Sequence, residues 1–156
     1  MAHRTLAAAT TAVFAATLLA AAPTAANAAE HLVFLASVDV GTGVWEAAGG
    51  TSVTLGDFTD DPSQHWYWDP DEDTFRNAAS EQCLAAADGA LWQASCDDVD
   101  AQRWERRPIG DPNSTPSLFA NAGGGDCATH TGPAGQLELA PCDPDRADQQ
   151  WNIYLV

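Results

Sequence analysis

Glutamine, any residue, tryptophan recurs three times near the end of similar blocks: Gln64-His65-Trp66, Gln102-Arg103-Trp104 and Gln149-Gln150-Trp151. The stretches ahead of these motifs align too, SVTLGDFTDDPSQHW with ALWQASCDDVDAQRW and QLELAPCDPDRADQQW. A chain built this way uses one supersecondary unit three times, so the whole fold has to place three copies of it around a shared core. Trp66 and Trp104 are 38 residues apart and Trp104 and Trp151 are 47, so the third unit is nine residues longer. Its largest insertion coincides with the turn-rich segment from Pro108 to Pro116, which reads as a long surface loop. The sequon there, Asn113-Ser114-Thr115, is a three-residue pattern that arises often by chance and is read as loop composition.

Residues 1–28 stand apart from the repeats. Arg4, the apolar run from Leu6 to Ala22, Pro23 and the small-residue pattern Ala26-Asn27-Ala28 read as a secretory signal cut before Ala29. About 127 residues remain, one domain with a single core. It is divided by the repeats at about 30–68, 69–106 and 107–156. Once Arg4 leaves with the signal, five basic residues face 22 acidic ones, a formal charge of −17, and lysine is absent. Such a surface repels phosphate backbones and anionic lipid, which excludes nucleic acid as a partner and leaves no membrane contact after cleavage.

Short runs at His31–Leu35, Thr51–Leu55, Leu137–Leu139 and Trp151–Leu155 alternate or are β-rich, with Gly, Pro, Asp and Asn between them. No long amphipathic helical period follows residue 29. The alanine-rich stretches Asn77–Ala79 and Leu84–Ala87 tolerate helix by propensity, and there the repeat takes precedence. Four cysteines in an exported chain favour disulfides over a metal site. Three pairings are possible, and matching places within repeats select Cys83–Cys96 and Cys127–Cys142. In the first repeat Trp45 and Phe58 have the spacing of Cys83 and Cys96, and they are expected to pack together in place of a bridge.

A leading Cys83-Leu84, a second cysteine thirteen residues later and then Gln-x-Trp, in a chain of three such units, resembles the ricin B-type lectin module over roughly residues 30–156. The resemblance implies an all-β fold, a β-trefoil of twelve strands in three lobes, with Trp66, Trp104 and Trp151 in the common core. It also implies a non-enzymatic, secreted carbohydrate-binding protein that uses no cofactor.

A sugar pocket needs an aromatic ring for the apolar face of the pyranose and polar groups for its hydroxyls. In this family these are an aspartate two residues after the first cysteine, an aromatic two before the second, and an asparagine followed by the motif glutamine. By spacing, the carboxylate places hold Ala47, Ala85 and Thr129, and the aromatic places hold Gly56, Ala94 and Ala140. Ser63, Ala101 and Asp148 precede the glutamines. Recognition is therefore expected at displaced groups. The second lobe comes first, with Trp92 as the ring and Asp88 and Gln102 as polar partners. The third follows with Thr129, His130, Asp148 and Gln149, and the first lobe, with Gln64, is last. The alternative is a degenerate trefoil acting through an extracellular protein surface, as an interaction or inhibitor module.

Catalytic and metal chemistry find little support. His31, His65 and His130 sit in unrelated contexts without a nucleophile elbow. The run Asp69-Pro70-Asp71-Glu72-Asp73 lacks the glycine and the twelfth-place acid of a calcium loop, with Thr74 and Ser80 at those places, and reads as a solvated acidic turn.

Overall fold

A computed structural model describes residues 30–113 and 115–156, so the expected signal segment and Ser114 of the sequon lie outside the described residues. Twelve strands follow in chain order: β1 (His31–Ser37), β2 (Gly43–Ala47), β3 (Val53–Asp57), β4 (Trp66–Asp69), β5 (Thr74–Asn77), β6 (Cys83–Ala87), β7 (Ala90–Ala94), β8 (Trp104–Pro108), β9 (Ser117–Asn121), β10 (Cys127–Thr129), β11 (Glu138–Ala140) and β12 (Trp151–Leu155). Leu84–Ala87 is strand and Asn77 ends one, because pairing with β7 and β4 outweighs the helix tolerance of alanine.

Six strands form a closed ring. Pairing runs β12–β1–β4–β5, passes to β8 through the Thr74–Arg103 bridge, and returns through β9 to β12. The hairpins β2–β3, β6–β7 and β10–β11 cover one end, joined by Ser52–Trp92, Thr54–Gln136 and Glu138–Ala90 pairings. Closure leaves few strand edges unpaired, which a small all-β chain needs to avoid edge-to-edge association.

Strand alternation decides which side chains fill the ring. Trp66, Trp104 and Trp151 are wholly buried, together with Leu35, Phe75, Phe119, Leu84, Leu91 and Leu137. The three motif indoles bond alike: Nε1 donates to the carbonyl of Trp45 (3.2 Å), Leu84 (3.2 Å) and Ala128 (3.0 Å) respectively. Those carbonyls define which residues are equivalent between lobes.

A correction follows from this equivalence. Trp45 matches Leu84 and Ala128, and the residue matching Cys83 and Cys127 is Val44. Phe58 does match Cys96 and Cys142, since each follows the residue whose carbonyl receives the motif glutamine: Asp57, Ser95 or Pro141. Trp45 therefore faces the core, its ring 5.2–6.5 Å from those of Phe75, Trp104, Phe119 and Trp151. Phe58 faces outward onto Phe34. The expected Trp45–Phe58 packing is overturned because neighbouring residues of a strand point to opposite faces. Both expected disulfides, Cys83–Cys96 and Cys127–Cys142, are formed.

Candidate sugar-binding faces

Each motif glutamine ends a three-residue 3-10 turn (Pro62–Gln64, Asp100–Gln102, Ala147–Gln149) and is buried. Gln64 Oε1 accepts from Thr59 N (2.8 Å) and its Nε2 donates to Asp57 O (2.7 Å). Gln102 does the same with Asp97 N (2.9 Å) and Ser95 O (2.6 Å). Gln149 bonds Asp143 N (2.8 Å), Pro141 O (3.0 Å) and the Thr129 hydroxyl (3.0 Å). The glutamine thus clamps the turn to the end of the preceding hairpin, and both ends of its amide are engaged within the protein.

The places that the ricin B-type resemblance assigns to sugar-binding groups fall on one face of the hairpins β2–β3, β6–β7 and β10–β11. In the second lobe Trp92 stands on this face opposite Ala85, half-buried, its Nε1 donating to Ala87 O (3.0 Å). Asp88 is exposed at the hairpin tip, where Asp88 (φ 52°) and Gly89 (φ 77°) take the left-handed geometry of a tight two-residue turn. Gln102 lines a different recess, about 220 Å³ beside Cys83, Cys96, Glu72, Thr74 and Asp98. Asp88 and Trp92 share the hairpin, and Gln102 does not join them around one cavity.

In the third lobe Thr129, His130 and Gln149 are buried. Thr129 Oγ1 donates to Cys127 O (3.0 Å), and Asp148 is ion-paired with Arg146, Nε to Oδ1 at 3.1 Å. His130 Nε2 lies 2.7 Å from Asp39 Oδ1 and 3.2 Å from Ser37 Oγ, while its Nδ1 accepts from Gly132 N (3.2 Å). That acceptor role places the proton of the neutral ring on Nε2, facing Asp39. Ser37 donates its own proton to the same carboxylate (2.7 Å), so the ring is not poised to deprotonate it. The cluster is a structural seam: Ser37 opposes Trp151 in the ladder as Asn77 opposes Trp66 and Asn121 opposes Trp104. Burial raises the pKa of Asp39, but hydrogen bonds from Ser37 and His130, the charge of His130 and its own backbone N–H outweigh it and hold the carboxyl below its ordinary value.

The first lobe contains a group that spacing missed. Because Val44 occupies the first-cysteine place, the carboxylate place belongs to Glu46, one residue before Ala47. Glu46 pairs with Thr54 as Ala85 pairs with Trp92 and Thr129 with Glu138. Glu46 is partly buried, its carboxylate takes no hydrogen bond or ion pair among the described residues, and it lies over Gly56: a methyl on that glycine would come 1.7 Å from Oε2. A glycine at the aromatic place is what makes room for this carboxylate. The missing cysteine hid the alignment, and only the carbonyl bonded by Trp66 restores it.

Among the described residues no group of three or more His, Cys, Asp or Glu side chains is arranged to hold a metal ion. In the acidic turn, Asp69 Oδ1 accepts from the backbone of Asp71 (2.9 Å) and Glu72 (3.2 Å).

The sequence matches no family profile and no curated protein. Solved structures do share its fold. The designed threefold-symmetric protein ThreeFoil superposes with a TM-score of 0.67 at 16% identity, over 78% of this chain and 96% of that one. The hemolytic lectin CEL-III matches at 0.67 and 23% identity over 81% of this chain, which spans only 31% of CEL-III. The Vibrio vulnificus hemolysin/cytolysin β-trefoil lectin, solved with N-acetyl-D-lactosamine bound, matches at 0.60 and 22% identity, over 81% of this chain and 96% of that chain. The chain is a β-trefoil, the fold that its ricin B-type resemblance implies.

Proposed function

We propose that the chain is a secreted carbohydrate-binding module with atypical, weak sites, acting by binding and not by catalysis. On this reading residues 1–28 direct export and are removed, and residues 29–156 are the mature trefoil. Glu46 carries the reading: a carboxylate without a partner among the described residues, in the place where the ricin B-type family holds its sugar-binding aspartate. Such a carboxylate is free to accept hydrogen bonds from the hydroxyls of a ligand. Trp92, on the corresponding face of the second hairpin with Asp88 at its tip, supplies a stacking ring in the second lobe. Gln102, Thr129, His130, Asp148 and Gln149 contribute by fixing backbone around these faces, because their polar atoms are already engaged. The sugar-binding neighbours in this fold add weight to the same conclusion.

The test is titration of the best array-selected glycan into the wild type and into Glu46→Ala and Trp92→Ala. Loss of tenfold or more in affinity in either variant supports the hairpin-face sites. Unchanged binding in both removes them. The engagement of so many polar groups within the protein favours the alternative, an extracellular protein-interaction module, which gains if no glycan binds.

A further inference from the structure

The first lobe lacks the bridge that closes the other two, and the gap is open. A cavity of about 480 Å³ lies there, on the outer wall of the barrel between β1, β12 and the base of the β2–β3 hairpin. Val44 and Phe58, the residues that replace the disulfide, line it with Phe34, Thr42, Asn152 and Tyr154. Glu46, Gly56 and Gln64 are not among its lining residues, so it is separate from the hairpin-face position described above.

Three rings form a continuous platform in it. Phe34 stands 4.7 Å from Phe58 and 5.0 Å from Tyr154, nearly parallel to the latter at 20°. Phe58 and Tyr154 remain 42% and 48% exposed, and with Phe34 between them they make one contiguous exposed aromatic patch. The equivalent positions in the other lobes are filled differently. In the second, the Cys83–Cys96 bridge leaves a smaller recess, about 220 Å³, with no aromatic ring in its lining, and Arg76 lies 4.6 Å above the Tyr67 ring and pairs with Glu30. In the third, Leu118, Ala120 and Ile109 pack on Cys127 and Cys142.

We infer that this aromatic recess is a second ligand site that stacks the apolar face of a neutral pyranose against Phe58 and Tyr154. The inference rests on the reading of the chain as a carbohydrate binder. The polar groups suit hydroxyls. Asn152 is half-buried and its amide has no partner among the described residues, so it offers both a donor and an acceptor. Thr42 gives its proton to Asp57 Oδ1 (2.8 Å), which leaves its oxygen as an acceptor. Charge selects among sugars: among the described residues no Arg, Lys or His lines the recess, the Asp57 carboxylate is bonded to its lining residue Thr42, and the expected mature chain carries −17, so sialylated or sulfated glycans are repelled and neutral ones are not. The volume lies within the range of small-molecule sites, about 300–1,000 Å³.

The test is an NMR titration of the mature protein with neutral oligosaccharides built on glucose, galactose, mannose and N-acetylglucosamine, followed at the Asn152 side-chain amide and the Tyr154 ring. Both signals are expected to move, and Tyr154→Ala, at an exposed strand end, is expected to lower the affinity of that event at least tenfold. Asn152→Ala should lower it by several fold, while Glu46→Ala and Trp92→Ala leave it unchanged. If a glycan binds but Tyr154→Ala and Asn152→Ala bind it as the wild type does, this site is wrong and the hairpin-face reading stands. Shifts at Asn152 that survive loss of binding by Glu46→Ala and Trp92→Ala establish it as independent. Preference for acidic glycans, or no binding of any glycan, overturns it.

Discussion

Single residues in this protein serve two masters, and the hydrogen-bond partners tell which one holds each. His130, Thr129 and Gln149 have the composition of a binding site, but His130 spends its polar atoms on the seam where the third lobe meets the first, and Thr129 and Gln149 spend theirs within the third lobe. Asp39 belongs to that seam, and its lowered pKa has a thermodynamic consequence. A carboxyl whose folded-state pKa lies below its unfolded one contributes stability that is fully present above the unfolded value, about 4, and is lost as pH falls through the folded value. Asp39→Asn is therefore expected to lower the melting temperature at pH 5 to 7, by an amount that shrinks as the pH is taken from 4 towards 2. Thermal denaturation of both proteins across that range checks it; a gap that stays constant with pH contradicts the assignment.

At the scale of elements, the hairpins are one design with three closures. Two are stapled by disulfides and the first is held by Val44, Phe58 and the ring stack. If the equivalence is right, Val44→Cys with Phe58→Cys forms a third disulfide, worth about 3 kcal/mol by chain entropy before the loss of Phe58 packing is subtracted. Thiol titration and peptide mapping should find no free cysteine in this double variant. Trp45→Cys with Phe58→Cys should keep free thiols and lose core packing. Free thiols in the first pair, or a bridge in the second, would refute the one-residue correction. Much of the fold was legible in sequence, and the failures are instructive. The Gln-x-Trp repeat announced three lobes, and the matched cysteines announced their pairing. The three-residue 3-10 turns were too short to carry a period. The first lobe slipped by one residue because no cysteine marked the start of its hairpin, and that slip alone concealed Glu46. The recess between β1 and β12 was invisible because it gathers residues about 120 positions apart, such as Phe34 and Tyr154.

Across the whole molecule, a closed barrel with three covering hairpins leaves the outer surface free to vary lobe by lobe. The core accepts this because Trp45, Trp66, Trp104 and Trp151 fill it from within. What varies is the chemistry presented outward: a free carboxylate in the first lobe, a ring in the second, and in the third, groups bonded among themselves. The strong net negative charge favours neutral or cationic partners over anionic ones. The most direct measurement of the central claim is a glycan array probed with the mature protein in the presence of EDTA, followed by calorimetric titration of the strongest hit. The account predicts retention of at least one neutral glycan, with a dissociation constant of about 0.1–1 mM and no change on chelation. Retention of no glycan at millimolar concentration, or binding abolished by EDTA, would contradict it.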